Sequence, residues 1–139
     1  MARKDRVMTQ TSTTPKTRRY DLEERTAAWA HRVRVFCREA RTITGNKEDC
    51  DQLVRSSGSV ASNYIEANEP LGAGDFAMRI RITLKESKES RLWLSLLYIP
   101  ESKKELEKER LYLMDHADQF VKIFSSILRS FKENRKIKH

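Results

Sequence analysis

Turn formers are scarce, with four glycines and three prolines in 139 residues. No run of alternating Val, Ile and Thr is bounded by Gly-rich turns, which excludes a fold of many short strands. Cysteine is nearly absent: Cys37 and Cys50 form no CxxC and have no nearby His pair, so neither a disulfide framework nor a zinc site is indicated. Both fall on apolar helical stripes beside one short turn and are expected as buried free thiols. No apolar run approaches the ~18 residues of a membrane span, so no membrane partner is expected. Catalytic motifs are missing as well. There is no Gly-rich phosphate loop and no nucleophile elbow, and His31, His116 and His139 lie on different segments. Glu66, Glu86 and Glu89 lack the Glu-x-x-His partners of a di-iron bundle. The expectation is a protein with no catalytic residue, metal or cofactor, and not an enzyme.

Charge and leucine take the place of what is missing. The chain is 35% charged and 38% hydrophobic, the balance of a helical bundle, and long enough for one domain with a sizeable core. Leu22, Thr26, Trp29, Val33, Phe36, Ala40 and Ile43 recur at 4-3 spacing, which predicts a helix from Asp21 to about Thr44, with Asp21 and Glu24 as a capping pair and Gly45 as the stop. A second helix is expected from Asn46, its capping residue, to about Asn68 before Pro70. It faces Cys50, Leu53, Val54, Ser57, Val60, Ala61 and Tyr64 inward, with Arg55, Ser59, Ser62 and Glu66 opposite. A third starts after Leu71-Gly72-Ala73-Gly74, with Asp75 in its first turn, and reaches about Tyr98 before Pro100, with Phe76, Ile80, Thr83, Leu84, Ser87, Leu94 and Leu97 inward. The fourth opens on the capping box Ser102 to Glu105 and keeps its period through Leu106, Leu113, Ala117, Val121, Phe124, Leu128 and Phe131. Short connections make neighbours antiparallel, so the expected fold is all-α, an up-down-up-down four-helix bundle.

The net charge is +8, and it sits in the tails. Residues 1–19 carry Arg3, Lys4, Arg6, Lys16, Arg18 and Arg19 against Asp5, and residues 132–139 carry Lys132, Arg135, Lys136 and Lys138 against Glu133. The body between them is formally neutral. Residues 1–19 are expected as a disordered basic arm, 20–132 as the bundle domain and 133–139 as a basic C-terminal tail.

From Arg55 to Leu97 the residues Arg55, Ser59, Val60, Asn63, Tyr64, Glu66, Ala67, Asp75, Phe76, Lys85, Glu86, Glu89, Ser90, Trp93 and Leu94 stand at characteristic spacing. This stretch closely resembles the four-helix-bundle family of proteins encoded in intervening sequences of bacterial 23S rRNA genes. The first helix fits that family more loosely, and the fourth helix and both tails carry little resemblance. Gly72 stands where family members often have serine and is the expected helix cap; glycine is only a few tenths of a kcal/mol worse there. The resemblance implies a small bacterial cytoplasmic protein that assembles as a homopentamer, without enzymatic activity. A related branch, similar in fold, partners a reverse transcriptase and its RNA in diversity-generating retroelements.

Three groups of residues follow as candidates. Arg55, Ser59, Ser62 and Glu66 face away from the predicted core, as a solvated face, as a ligand contact or, given the family and together with Asn63, as an oligomer interface. Lys85, Glu86 and Glu89 are either a web of surface pairs or a partly buried polar network that fixes register. His31, Arg34, Arg38 and Arg41 form a stripe along the first helix that is either solvated or, repeated in an oligomer, a ring of positive potential for phosphates. Arg34, Arg38 and Arg41, with Lys16, Arg18 and Arg19 of the arm, are the expected nucleic-acid contacts. The function expected is a non-enzymatic oligomeric protein associated with RNA; the alternative is an interaction scaffold, such as a reverse-transcriptase accessory protein.

Overall fold

The structure is a computed structural model that describes the backbone of residues 15–69 and 71–138 and the side chains of residues 21–69 and 71–136. Four helices follow one another: α1 (Pro15–Ala40), α2 (Lys47–Ala67), α3 (Ala73–Leu96) and α4 (Lys104–Lys138). Among the described residues there is no strand. Each helix packs on the next and α4 closes back onto α1.

Cross-helix contacts establish the antiparallel course. Between α1 and α4, Arg25 reaches Gln119, Trp29 reaches Leu113 and Arg32 reaches Glu109, so one number rises as the other falls. The same reversal runs from Asn63–Arg79 to Ser56–Ser90 between α2 and α3, and from Phe76–Phe131 to Arg91–Asp118 between α3 and α4. One end of the bundle therefore holds the start of α1, the end of α2, the start of α3 and the end of α4. The other end holds the α1–α2 turn and the α3–α4 connection.

The core follows the predicted stripes with additions. Leu22, Trp29, Val33, Phe36, Leu53, Val60, Tyr64, Ile80, Leu94, Leu113, Phe120 and Phe124 are buried. Phe120 is the anchor that the predicted seam of α4 omits: Trp29 meets its ring edge-on at 5.3 Å and Phe124 stacks on it at 6.1 Å. The Trp29 indole N–H donates to the Leu113 carbonyl at 3.1 Å, so burying it leaves no orphan donor. Buried hydroxyls complete the inner stripe of α3: Thr83 donates to Arg79 O and Ser87 to Thr83 O, each one turn back along the same helix.

The element boundaries correct several expectations. α1 begins at Pro15, not near Asp21, because proline at the first helical position is pre-set for the helix and needs no donor. Asp21 is thus inside the helix, and part of the expected disordered arm, residues 15–19, has helical backbone; residues 1–14 lie outside the described residues. The expected C-terminal tail is also largely helical, since α4 runs to Lys138. That helix starts at Lys104, with the Lys103 carbonyl accepting its first bond from Glu107 N–H, so Ser102 lies outside the cap position. α1 ends at Ala40, and Gly45, at φ +93°, takes the left-handed conformation in the turn that follows.

Asn46 does more than precede a helix. Its side chain makes no cap bond to α2; it is buried, donating Nδ2 to Ala40 O at 3.1 Å and to Tyr98 O at 2.8 Å, while Oδ1 accepts from Tyr98 N at 3.0 Å. The α1–α2 turn is thereby fastened to the α3–α4 connection. Cys37 and Cys50 are buried free thiols just below it, and the thiol hydrogen bond to Cys50, reinforced by burial, pushes the Cys37 thiol far above its ordinary range.

Candidate nucleic-acid interface

Small residues on α2 let it approach α3 closely, and the polar groups singled out on the two helices meet along that seam. Ser56 and Ser90, both fully buried, share a hydrogen bond of 2.7 Å. Arg55 lies beside them, with Nη2 3.3 Å from Glu89 Oε1 and Nη1 3.6 Å from Glu86 Oε2. Lys85 Nζ stands 3.8 Å from the other Glu89 oxygen. Further along, Arg79 Nη1 donates to Asn63 Oδ1 at 2.9 Å, and Asn63 Nδ2 donates to the Ser59 carbonyl and hydroxyl. So Arg55, Ser59 and Asn63 engage the α2–α3 seam within one chain, while Ser62 and Glu66 remain exposed. Lys85, Glu86 and Glu89 belong to one network with Arg55, and the Glu86 carboxylate is nearly all buried in it, with Oε1 unpartnered.

The α1 stripe is less available than its spacing suggests. Arg34 is half-buried, with Nη1 on Ala30 O at 2.9 Å and Nη2 crossing to Val54 O at 3.2 Å. It lies over Gly58, where a Cβ would come within 2.9 Å of its guanidinium, so the glycine makes room for the arginine. Arg41 pairs with Asp51 at 2.7 Å, which holds that carboxyl below the usual carboxylate range. His31 and Arg38 remain exposed. Two of the four groups in the row are thus committed to protein partners. Lys16, Arg18 and Arg19 fall in the first turns of α1, and their side chains lie outside the described residues.

Across the bundle body other cations have acidic partners too: Arg32 has Glu109, Arg91 has Asp118, Lys103 has Glu39 and Arg110 has Glu107. Arg38, Lys47, Lys88, Lys104, Lys108 and Lys122 are exposed without one, and so are the cations along α3 and at the end of α4 that share a cleft. Arg81, Arg129, Lys132, Arg135 and Lys136 are exposed, and none has a carboxylate partner among the described residues. Arg81, Lys132, Arg135 and Lys136 surround an open cleft of about 570 Å³ whose other lining residues are Gly74, Ala77 and Phe131. The Phe131 ring rests on Phe76, centroids 5.2 Å apart, and the Arg135 guanidinium lies 5.8 Å from its centroid. Sequence reasoning missed this cleft because Arg81 belongs to a charged row on α3 while the other cations look like a separate tail. The period of α4, which already carries Phe131 inward, and the antiparallel pairing that sets it against Phe76 would have located it.

A second cluster lies between α1 and α4. Arg32 stacks on Tyr112 at 3.7 Å, Tyr112 packs against His116 at 4.4 Å, and Arg25 donates to both Gln119 and His116 Nδ1. An arginine cannot accept, so Nδ1 must, and the imidazole is neutral with its proton on Nε2. Burial first, and then the charge of Arg25, hold the His116 pKa below the ordinary imidazole value. The unfolded chain therefore takes up this proton first, so stability should fall as pH drops below about 6.5 and level off below the folded value. In urea titrations between about pH 7.5 and 5, His116→Gln is expected to flatten this part of the curve; an unchanged slope would contradict the assignment.

Among the described residues no three His, Cys, Asp or Glu side chains are grouped to hold a metal ion, and no helix is long and apolar enough to cross a membrane. No protein-family model matches the sequence, and no curated protein matches it. Among solved structures, a crystal structure of a protein of unknown function from the S23 ribosomal protein family of Bacteroides thetaiotaomicron VPI-5482 is similar to this chain, with a TM-score of 0.62 at 23% identity, over 76% of this chain and 96% of that one. What the two chains share is the all-α, four-helix fold.

Proposed function

We infer that this chain is a non-enzymatic, self-associating helical protein that binds RNA electrostatically, and that it belongs with the intervening-sequence proteins whose motif it carries from Arg55 to Leu97. The observation that carries the reading is the grouping of four cations, Arg81, Lys132, Arg135 and Lys136, around one cleft. The cations without acidic partners near the end of α4, together with Arg81, gather at the end of the bundle where α1 also begins. Residues 15–19, which include Lys16, Arg18 and Arg19 of the other basic segment, form the start of α1 at that same end. Two segments that are far apart in sequence would then act as one positive surface, and phosphates bind such a surface with little regard to sequence.

Self-association is supported by a different face. Leu92 and Leu96 on α3 and Leu111 on α4 are large apolar side chains that stand about half exposed. Exposed leucines on two helices that pack together suit a protein interface more than solvent. Homopentamer formation is the stoichiometry that the family resemblance adds to this reading.

Fluorescence anisotropy of a labelled RNA hairpin, titrated with the full chain across a salt series, tests the RNA reading. The protein should elute well above 16.3 kDa and bind with a log–log salt slope of about −3 or steeper, as four phosphate contacts per chain require. Absence of binding even at about 50 mM salt would remove the RNA reading.

A further inference from the structure

We propose that the α3–α4 cleft binds an unpaired nucleotide, with its base stacked at Phe131 and Arg135 and its phosphates on Arg81, Lys132 and Lys136; this rests on the RNA reading above and assigns it a site. A surface that recognised phosphates alone would need charge and nothing else. Here the cations surround an apolar floor made by Ala77 and the Phe131 ring. That ring packs against Phe76 at an interplanar angle of 43° and is half-buried, so part of it stays accessible.

The outer side of the ring is loosely occupied. Arg135 stands 5.8 Å from the Phe131 centroid, whereas Arg32 lies 3.7 Å from Tyr112 and Arg25 4.8 Å from Phe120. The first distance is near the outer limit of a cation–π contact, and the other two are closed stacks. A planar base can therefore take the position over Phe131 and be covered by the guanidinium, which gains two π contacts at the cost of one weak one. Gly74 forms the opposite wall, and an added Cβ there would meet nothing within 4 Å, so the entrance is open on the α3 side.

The volume and chemistry limit the ligand. About 570 Å³ lies within the range of small-molecule sites, enough for one nucleotide and too narrow for a helix of paired bases. Bases in a duplex are also stacked on their neighbours and cannot reach the ring, so the site should take bulges, loops or ends. The polar side chains lining the cleft are its four cations, which here serve the phosphates and the ring face, and every base has a π face, so little base preference is expected.

The test compares two oligonucleotides of equal length and charge, a single-stranded RNA and its abasic counterpart, binding to the full chain at fixed low salt. The native protein should bind the RNA about tenfold more tightly than the abasic strand. Phe131→Leu keeps the apolar floor and all the charge, so it should abolish that preference and leave abasic affinity unchanged. Arg135→Lys, which keeps charge and loses the planar group, should reduce the preference and serves as the second variant should Phe131→Leu unfold by circular dichroism. Equal affinity of the native protein for both strands, or an equal loss on both in the two variants, would overturn the stacking site while leaving phosphate binding intact. Failure of the native protein to bind either strand would instead overturn the RNA reading on which the site depends.

Discussion

Replacing Arg81, Lys132 and Lys136 together by glutamate should weaken binding to a structured RNA by about a hundredfold or more, with little change in thermal stability. These three side chains are exposed and make no ion pair among the described residues, so their loss removes no contact that holds the bundle. Reversal does more than deletion, since three attractive charges become repulsive against the same phosphates. The salt dependence should flatten along with the affinity, because fewer counterions are released on binding. Arg38→Glu on the α1 stripe is the matched control, being an exposed arginine at the other end of the molecule. If the α1 stripe carries the binding, the control will lose affinity and the triple variant will keep it. Anisotropy titrations of the three proteins on one RNA decide between the two surfaces.

Asn46→Ala should be among the most damaging single substitutions, costing about 3 kcal/mol and lowering the melting temperature by about 10 °C. Asn46 is 2% exposed, and its amide satisfies Ala40 O together with both backbone groups of Tyr98. Tyr98 follows the extended residue Leu97, where α3 has already ended, so its N–H and C=O have no helical partner to return to. Alanine would leave the Tyr98 N–H and C=O without this partner and take from Ala40 O its second donor, leaving only Ile43 N–H there. Asn46→Asp keeps the shape but places a carboxylate against the Ala40 and Tyr98 carbonyl oxygens, and should be no less harmful. Chemical denaturation measures both. A loss under about 1 kcal/mol for Asn46→Ala would mean that water replaces the amide and that the two connections are not fastened by it.

Asn46 also shows what local reading can and cannot reach. An asparagine before a helical period is correctly read as a boundary, yet the amide ignores its own helix and bonds to Tyr98, a partner fixed only by tertiary packing. The four helices were legible because period and turn formers agree over long segments. The start of α1 was not, since the Asp21–Glu24 pair competes with Pro15 and the proline prevails.

Site residues divide along the same line. Arg55 and Glu89 could each be marked as notable, but nothing within either helix says that they pair with each other. Arg34 has the spacing of an exposed stripe and reaches instead to Val54 O through the gap left by Gly58, a consequence of helix packing that no single helical wheel contains. The cleft needed both kinds of information. Phe131 is periodic with the core of α4, while Arg81 joins it only because α3 and α4 run antiparallel.

The central claim is that RNA meets this protein at the α3–α4 end of the bundle. Photocrosslinking the full chain to thiouridine-labelled RNA, followed by mass-spectrometric mapping of the modified peptides, tests it directly. The account predicts adducts concentrated in residues 74–81 and 129–136, with Phe131 among the modified positions. Adducts confined to the α1 face around Arg38, or a pattern no different from that of an unrelated basic protein, would contradict it.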